Sequence, residues 1–261
     1  MRLIDAHCHL TSPGYVDIDG LVCRARRDGV LGIVASGTSY KTSQGVLTLS
    51  RTYRGFVFPT VGVHPERQDI TTDEVEEVKR VVHEARDEIV GIGEVGIPYY
   101  SIRDMADALT RMSMASEILA EFSVLARSLD LTLVVHAPHT AARYALSVVR
   151  KSGVPKVLFH WHKASDDVTK AIADEGYYVS VTPEVCYEER DQRLVKSIPL
   201  SNLVVETDGP WRYDGEFSGM MSEPTMLKRV VAKVADLRNE PAEEVAEKLV
   251  ENTSKLFGLT F

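Results

Sequence analysis

Eight short apolar runs, separated by stretches of helical periodicity, dominate the arrangement of this 261-residue chain. They occupy residues 3–7, 30–35, 56–63, 89–94, 131–136, 156–160, 177–182 and 203–208. Each is rich in Val, Ile and Leu and nearly continuous in apolar character, as a parallel strand covered on both faces should be. Between them, residues 72–87 repeat Val75, Val78, Val82 and Ala85 at helical spacing, with acidic residues in the first turn. Residues 105–128 suit one bent helix or two shorter ones, and 142–151, 166–174, 224–238 and a closing 241–252 complete the helical set. No low-complexity segment or long Gly/Ser linker marks a boundary, so residues 1–261 are expected to form one domain. Eight strands alternating with helices over about 250 residues predict a closed (β/α)8 TIM barrel. An open doubly wound sheet is the other arrangement to weigh, and no G-x-G-x-x-G turn follows a strand to support it.

Active sites of such barrels sit at the carboxyl ends of the strands. There the chain places Asp5-Ala6-His7-Cys8-His9 after the first run, Glu94 on the fourth, His136 on the fifth, His160 on the sixth and Asp208 on the eighth. Alternation along a strand puts Asp5, His7 and His9 on one face, and two neutral imidazoles on one face can hold a divalent cation. One H-x-H among 8 His is weak by itself; its company at four other strand ends is what gives it meaning. The expected metal ligands are His7, His9, Glu94, His136, His160 and Asp208. A mixed nitrogen and oxygen set suits zinc, manganese, iron or nickel more than calcium, and six ligands with a carboxylate able to bridge point to two ions. Asp208 is the candidate general base as well as a ligand, since a carboxylate touching a metal-bound water can take its proton.

Neighbouring residues divide between roles. Any one of these histidines taken alone is more readily explained as a partly buried residue bonded to a carbonyl or water. An acid such as Glu94, set in Gly91-Ile92-Gly93-Glu94-Val95-Gly96, is costly to bury unpaired, which favours a cation partner. Glu206 shares a strand face with Asp208 and is expected to orient ligands. His64 ends the third run and is expected to contact substrate rather than metal. His83 falls mid-helix among charged residues and reads as a solvated surface histidine. His139 and His162 lie just past strands five and six, where either could line the mouth. Trp161 suits packing between barrel and helix. Trp211, in a loop with Pro210, Arg212 and Tyr213, could equally pack or stack on a ring.

Composition bounds the rest. A net charge of −8, from 30 basic and 38 acidic residues, argues against a protein that coats a phosphate backbone, but not against an enzyme acting briefly on an end. Cys8, Cys23 and Cys186 are too few and too scattered for a disulfide framework. The first residues show no basic stretch followed by a long apolar one, and no segment reaches the roughly 18 apolar residues of a membrane span. A cytoplasmic monomer without membrane association or an obligate protein partner is the expectation.

At these motifs the chain resembles the TatD family of metal-dependent hydrolases, through most of its length. DAHCHL matches the opening D-x-H-x-H, VGVHPE the G-x-H-P, and GIGEVGIPYY is similar to G-E-I-G-L-D-Y-Y. LTLVVHA resembles the strand carrying the fifth histidine, VVETDGP is similar to E-T-D-A-P, and EEVAEKLVENTSKLFGL resembles the closing helix, with Asn252 and Phe257 in place. The resemblance implies a TIM barrel, a mono- or dinuclear site for divalent zinc, manganese or magnesium, and phosphodiester hydrolysis by a metal-activated water, typically 3′ to 5′ exonuclease action on DNA. It carries metal ligation to His7, His9, Glu94, His136, His160 and Asp208, bridging to Glu94, and neighbouring roles to Glu206 and His64. Nucleic acid ends would be the substrate, with His162, Lys163 and Arg212 as candidate phosphate contacts.

The departures fall on the substrate wall. Ile97-Pro98 replaces the usual Leu-Asp, His160-Trp161-His162-Lys163 stands where Cys-Phe-Ser follows the histidine, and residues 100–122 are enlarged. RYDGEFSGMMSEP replaces an Arg-rich loop. An amidohydrolase acting on a small-molecule amide, ester or aminoacyl ester is the alternative. That group often bridges its metals through a carboxylated Lys on strand four, where this chain has Glu94 and no Lys between Arg80 and Lys151. A non-enzymatic barrel, the third reading, gives no physical reason to keep six costly polar groups together.

Overall fold

The computed structural model describes residues 1–261. Its eight strands are β1 (Leu3–Cys8), β2 (Val30–Ser36), β3 (Val57–Val61), β4 (Gly91–Gly96), β5 (Thr132–His136), β6 (Val157–Phe159), β7 (Tyr178–Val181) and β8 (Leu203–Val205). They lie side by side in chain order, every neighbouring pair parallel. The turn from β8 back to β1 is made by residues just beyond the ladder. Asp208 N donates to His7 O at 3.0 Å, His9 N to Gly209 O at 2.8 Å, and Thr207 N to Asp5 Oδ1 at 3.0 Å. The barrel therefore closes through the very segments that carry His7, His9 and Asp208.

Helices cover the outside: α1 (Ile18–Arg27), α2 (Tyr40–Thr52), α3 (Thr72–Glu84), α4 (Ala108–Leu129), α5 (Ala141–Ser152), α6 (Asp166–Asp174), α7 (Glu189–Ser197), α8 (Leu227–Arg238) and α9 (Ala242–Phe257). The long segment after β4 is one helix of 22 residues. Three helices have no counterpart in the sequence reading: α1, α2 and α7. In α2, Ser, Thr and Gly weaken the helical signal, and a reciprocal cap offsets it: Ser39 Oγ accepts from Thr42 N, while Ser39 N donates to Thr42 Oγ1. Burial of Val46 and Leu47 then fixes the helix to the barrel.

Most of the core is one continuous layer between strands and helices, drawn from Leu, Val and Ile of both. A second cluster joins Ala6, Val34, Val134, Leu158 and Val204 to Leu256, Phe257 and Leu259 at the end of α9. Val34 lies two residues before Ser36, whose hydroxyl meets the ring of His7. This cluster therefore fills the barrel interior beneath the histidines, and α9 plugs the amino end. α9 runs past the expected residue 252 until Gly258 turns it at φ 68°, a conformation that suits glycine.

Candidate metal centre

β1 does not alternate as expected. Its register against β2 is irregular between Asp5 and Cys8, so Ala6 joins the interior cluster while Asp5 leaves the face shared by His7 and His9. Asp5 instead accepts from Thr207 N, Thr207 Oγ1 (2.5 Å) and His7 N, riveting β1 to β8. Burial pushes its carboxyl up to about 7 against these bonds.

The six expected ligands all converge. His7 Nε2 and His9 Nε2 lie 3.2 Å apart. Glu94 Oε2 is 3.2 Å from the first and 3.4 Å from the second, and Asp208 Oδ1 is 3.5 and 3.1 Å from them. Glu94 turns its other oxygen to a second group: Oε1 is 2.8 Å from His136 Nδ1, 2.6 Å from His160 Nε2 and 3.0 Å from His64 Nε2. One fully buried carboxylate thus faces two sets of imidazole nitrogens. Strand four has just enough room for this. A Cβ on Gly96 would stand 1.9 Å from His136 O, so only glycine lets β4 and β5 approach this closely.

The bonds made by the opposite ring nitrogens decide which atoms are bare lone pairs. His9 Nδ1 faces Ser36 O at 3.3 Å, and a carbonyl only accepts, so Nδ1 carries the proton and Nε2 is free. His160 Nδ1 faces Glu206 Oε1 at 3.3 Å, which leaves Nε2 bare. His136 Nε2 faces Glu66 Oε1 at 3.2 Å, which leaves Nδ1 bare. His7 Nδ1 meets Ser36 Oγ at 3.0 Å, and that hydroxyl can pass its own proton to Thr60 Oγ1, also at 3.0 Å. His64 is the opposite case. Its Nδ1 accepts from Glu66 N at 3.2 Å, so Nε2 bears the proton and donates to Glu94. Distance alone would group His64 with Glu94 and His136 as ligands; its tautomer makes it a donor to Glu94.

These donors fit divalent cations. Glu94 Oε2 and Asp208 Oδ1 are buried without a hydrogen bond, and a buried carboxylate oxygen without a partner is costly. Both carboxyls are held below their ordinary range: burial opposes this, but His160 and His64 act on Glu94, and His9 acts on Asp208. Burial lowers His7, with the nearby charge of His160 adding to it. Against burial, Asp208 and Glu94 lift His9 to about 10, and Glu94 and Glu206 lift His160 well above the usual imidazole range. A cation bound between these groups would take over that role, with the rings neutral. Asp208 and Trp161 reach their places at positive φ, 43° and 37°, conformations rare for side-chain-bearing residues and found preferentially at functional sites.

His162 is removed from the phosphate contacts: the turn at Trp161 folds it back under α6, where it is 2 % exposed and bonded to Thr169 Oγ1 at 2.9 Å. Lys163 lies 3.7 Å over the Trp161 ring and 3.3 Å from Glu184. Arg212 is exposed, with no ion pair. Trp161 is tied by Nε1 to Glu184 and meets Trp211 edge-on at 5.3 Å, while Trp211 is 56 % exposed. His139 sits against Tyr99 and Tyr100 on the rim, next to Lys163. His83 is exposed on α3. Two contributors escaped the sequence reading: Ser36, on a strand end without His or acid, and Glu66, on a loop. A cavity of about 320 Å³ between α3 and α4, lined by Ile102, Met114 and Ile118 among others, touches none of the ligand candidates.

The model of the family described as TatD related DNase matches residues 4–258. The chain belongs to the TatD family. An uncharacterized metal-dependent hydrolase of Methanocaldococcus jannaschii is 30% identical over 258 residues, covering 98% of this chain and 97% of that one. Human deoxyribonuclease TATDN3 is 28% identical over 263 residues, covering 98% and 94%. The crystal structure of the TatD homologue YjjV from Escherichia coli superposes with a TM-score of 0.89 at 25% identity, covering 99% of both chains. The TIM barrel expected from the alternation is the observed fold, and TatD membership makes the chain a metal-dependent hydrolase.

Proposed function

We propose that this TatD-family hydrolase is a phosphodiesterase acting on nucleic acid ends, a 3′ to 5′ exonuclease-like deoxyribonuclease with two divalent ions. The observation that carries the reading is Glu94, whose two oxygens face two separate sets of lone pairs. His7, His9, Glu94 and Asp208 would hold one ion; His136, His160 and Glu94 the other. Zinc, manganese or magnesium there would polarise the scissile phosphate and acidify the attacking water. Asp208 is the carboxylate placed to take the proton of that water and to return it to the leaving oxygen. His64 holds Glu94 through its Nε2 proton, and Glu206 holds His160 in the ligating tautomer. Arg212 is free to meet the phosphate backbone, and Lys163 reaches it on release from Glu184. The naming of human TATDN3 as a deoxyribonuclease supports DNA as the substrate. Residues 1–261 act as one unit in this reading, a monomer working in the cytoplasm.

The test compares single-stranded DNA, RNA and a generic phosphodiester as substrates. Metal-stripped protein is refilled separately with magnesium, manganese and zinc, with Asp208→Asn as control. Cleavage of DNA that vanishes in the variant is the expected result. Metal binding without cleavage of any phosphodiester would overturn the substrate and move the site to amide or ester chemistry.

A further inference from the structure

Glu66 touches both outer histidines of the second group in opposite senses. Its backbone N–H donates to His64 Nδ1 at 3.2 Å, which commits the His64 proton to Nε2. Its carboxylate Oε1 lies 3.2 Å from His136 Nε2, which commits the His136 proton to the far side of the ring and bares Nδ1 toward Glu94. The same carboxylate gathers a loop. Oε1 accepts from Tyr99 N at 2.7 Å and Tyr100 N at 3.0 Å, and Oε2 from Ser101 N at 2.7 Å. Three successive backbone donors converging on one side chain form a rigid cradle.

We propose that Glu66 is a positioning residue that assigns different tasks to two adjacent histidines, His136 as a ligand and His64 as a proton donor to Glu94, and fixes the Tyr99–Ser101 wall to that assignment. The inference rests on the two-metal reading. Its physical logic is that of an outer carboxylate on a ligating imidazole, which orients the ring and raises its basicity. Pro98, immediately before the cradle, has no N–H and cannot join it. The carboxylate that this wall lacks at Pro98 is thus supplied from the loop after β3. Tyr99 and Tyr100 also pack on His139 at the rim, so the wall gathered by Glu66 meets the loop that follows His136.

The variants are Glu66→Gln, which keeps the shape but cannot accept from His136 and all three N–H groups together, and Glu66→Asp, which withdraws the carboxylate by one methylene. The first readout is zinc affinity, measured by competition with a chromophoric chelator. The second is the visible ligand-field spectrum of the cobalt(II)-substituted protein. About 10- to 100-fold weaker binding at the second ion and an altered cobalt spectrum are expected in Glu66→Gln, with Glu66→Asp partly restored. In a His136→Ala background, Glu66→Gln should cause no further loss of affinity. A lowered melting temperature with unchanged zinc affinity and cobalt spectrum would make Glu66 a loop clamp only and overturn the proposal, as would additive losses in the double variant. Should Glu66→Gln fail to fold, Glu66→Asp and the cycle built on it decide. Absence of zinc or cobalt binding by the wild-type chain would instead refute the metal reading itself.

Discussion

Asp208 stands three residues past the end of β8, where its φ of 43° carries the carboxylate across to the ends of β1. Asp208→Asn keeps volume and removes the charge, so the fold should survive while turnover falls by roughly 10²- to 10⁴-fold, the usual worth of a general base. Steady-state rates beside a circular dichroism spectrum check this, and unchanged turnover would refute the assignment. His162 offers a pH test. Burial lowers it to about 3, so the folded protein binds fewer protons than the unfolded chain between that value and its ordinary 6.5. Stability therefore rises with pH across the window and is lost as pH falls, by up to about 1.4 kcal/mol per pH unit. His162→Gln keeps a donor toward Thr169 without titrating, and urea melts from pH 7 to 4 should show a shallower decline than wild type. The six candidate ligands were legible as a cluster because each ends an apolar run. His162 was not, because nothing in His160-Trp161-His162 announces a positive φ at its centre; Asp5 was misplaced because alternation assumes a regular ladder.

Elements were legible where one periodicity ran uninterrupted and illegible where capping or packing supplied the stability. α3 shows its Val stripe in the sequence, whereas α2 depends on Ser39 and Thr42 and on burial of two apolar residues, Val46 and Leu47. The closing helix is held from the side by Asn252, whose Nδ2 donates to Leu200 O at 2.6 Å and Leu203 O at 2.8 Å. Those carbonyls stand at the entry to β8, so α9 and the strand leading to Asp208 share one anchor. Asn252→Ala leaves both carbonyls without this donor and should cost about 1–3 kcal/mol. At about 2–4 °C per kcal/mol for a chain near this size, the melting temperature should drop several degrees, with the metal affinity of the folded protein preserved. A melting temperature equal to wild type would show that α9 docks by its apolar face alone.

Across the whole molecule, the candidate ligands come from the ends of β1, β4, β5, β6 and β8, so ions held there would tie together strand ends spread around the barrel. The closing contacts between β1 and β8 lie among them, through Asp208 N and His9 N. An unfolded chain scatters these six groups over some two hundred residues and presents no comparable site, so ions bind the folded state and shift its equilibrium by mass action. At a free ion concentration 100 times Kd, one site adds about 2.7 kcal/mol, or roughly 5–10 °C in melting temperature at this chain length. Chelator-treated protein should therefore melt lower than protein refilled with zinc or manganese, and the difference should grow with ion concentration. Calcium at equal concentration should do less, since imidazole donors suit it poorly. Asp208→Asn should lose much of the shift by weakening one site, while His83→Ala, on the outer face of α3, should keep all of it. Scanning calorimetry with and without chelator measures both. A melting temperature indifferent to every divalent ion would mean that the orphaned oxygens of Glu94 and Asp208 are stabilised by something other than a cation, and the two-metal reading would fall with them.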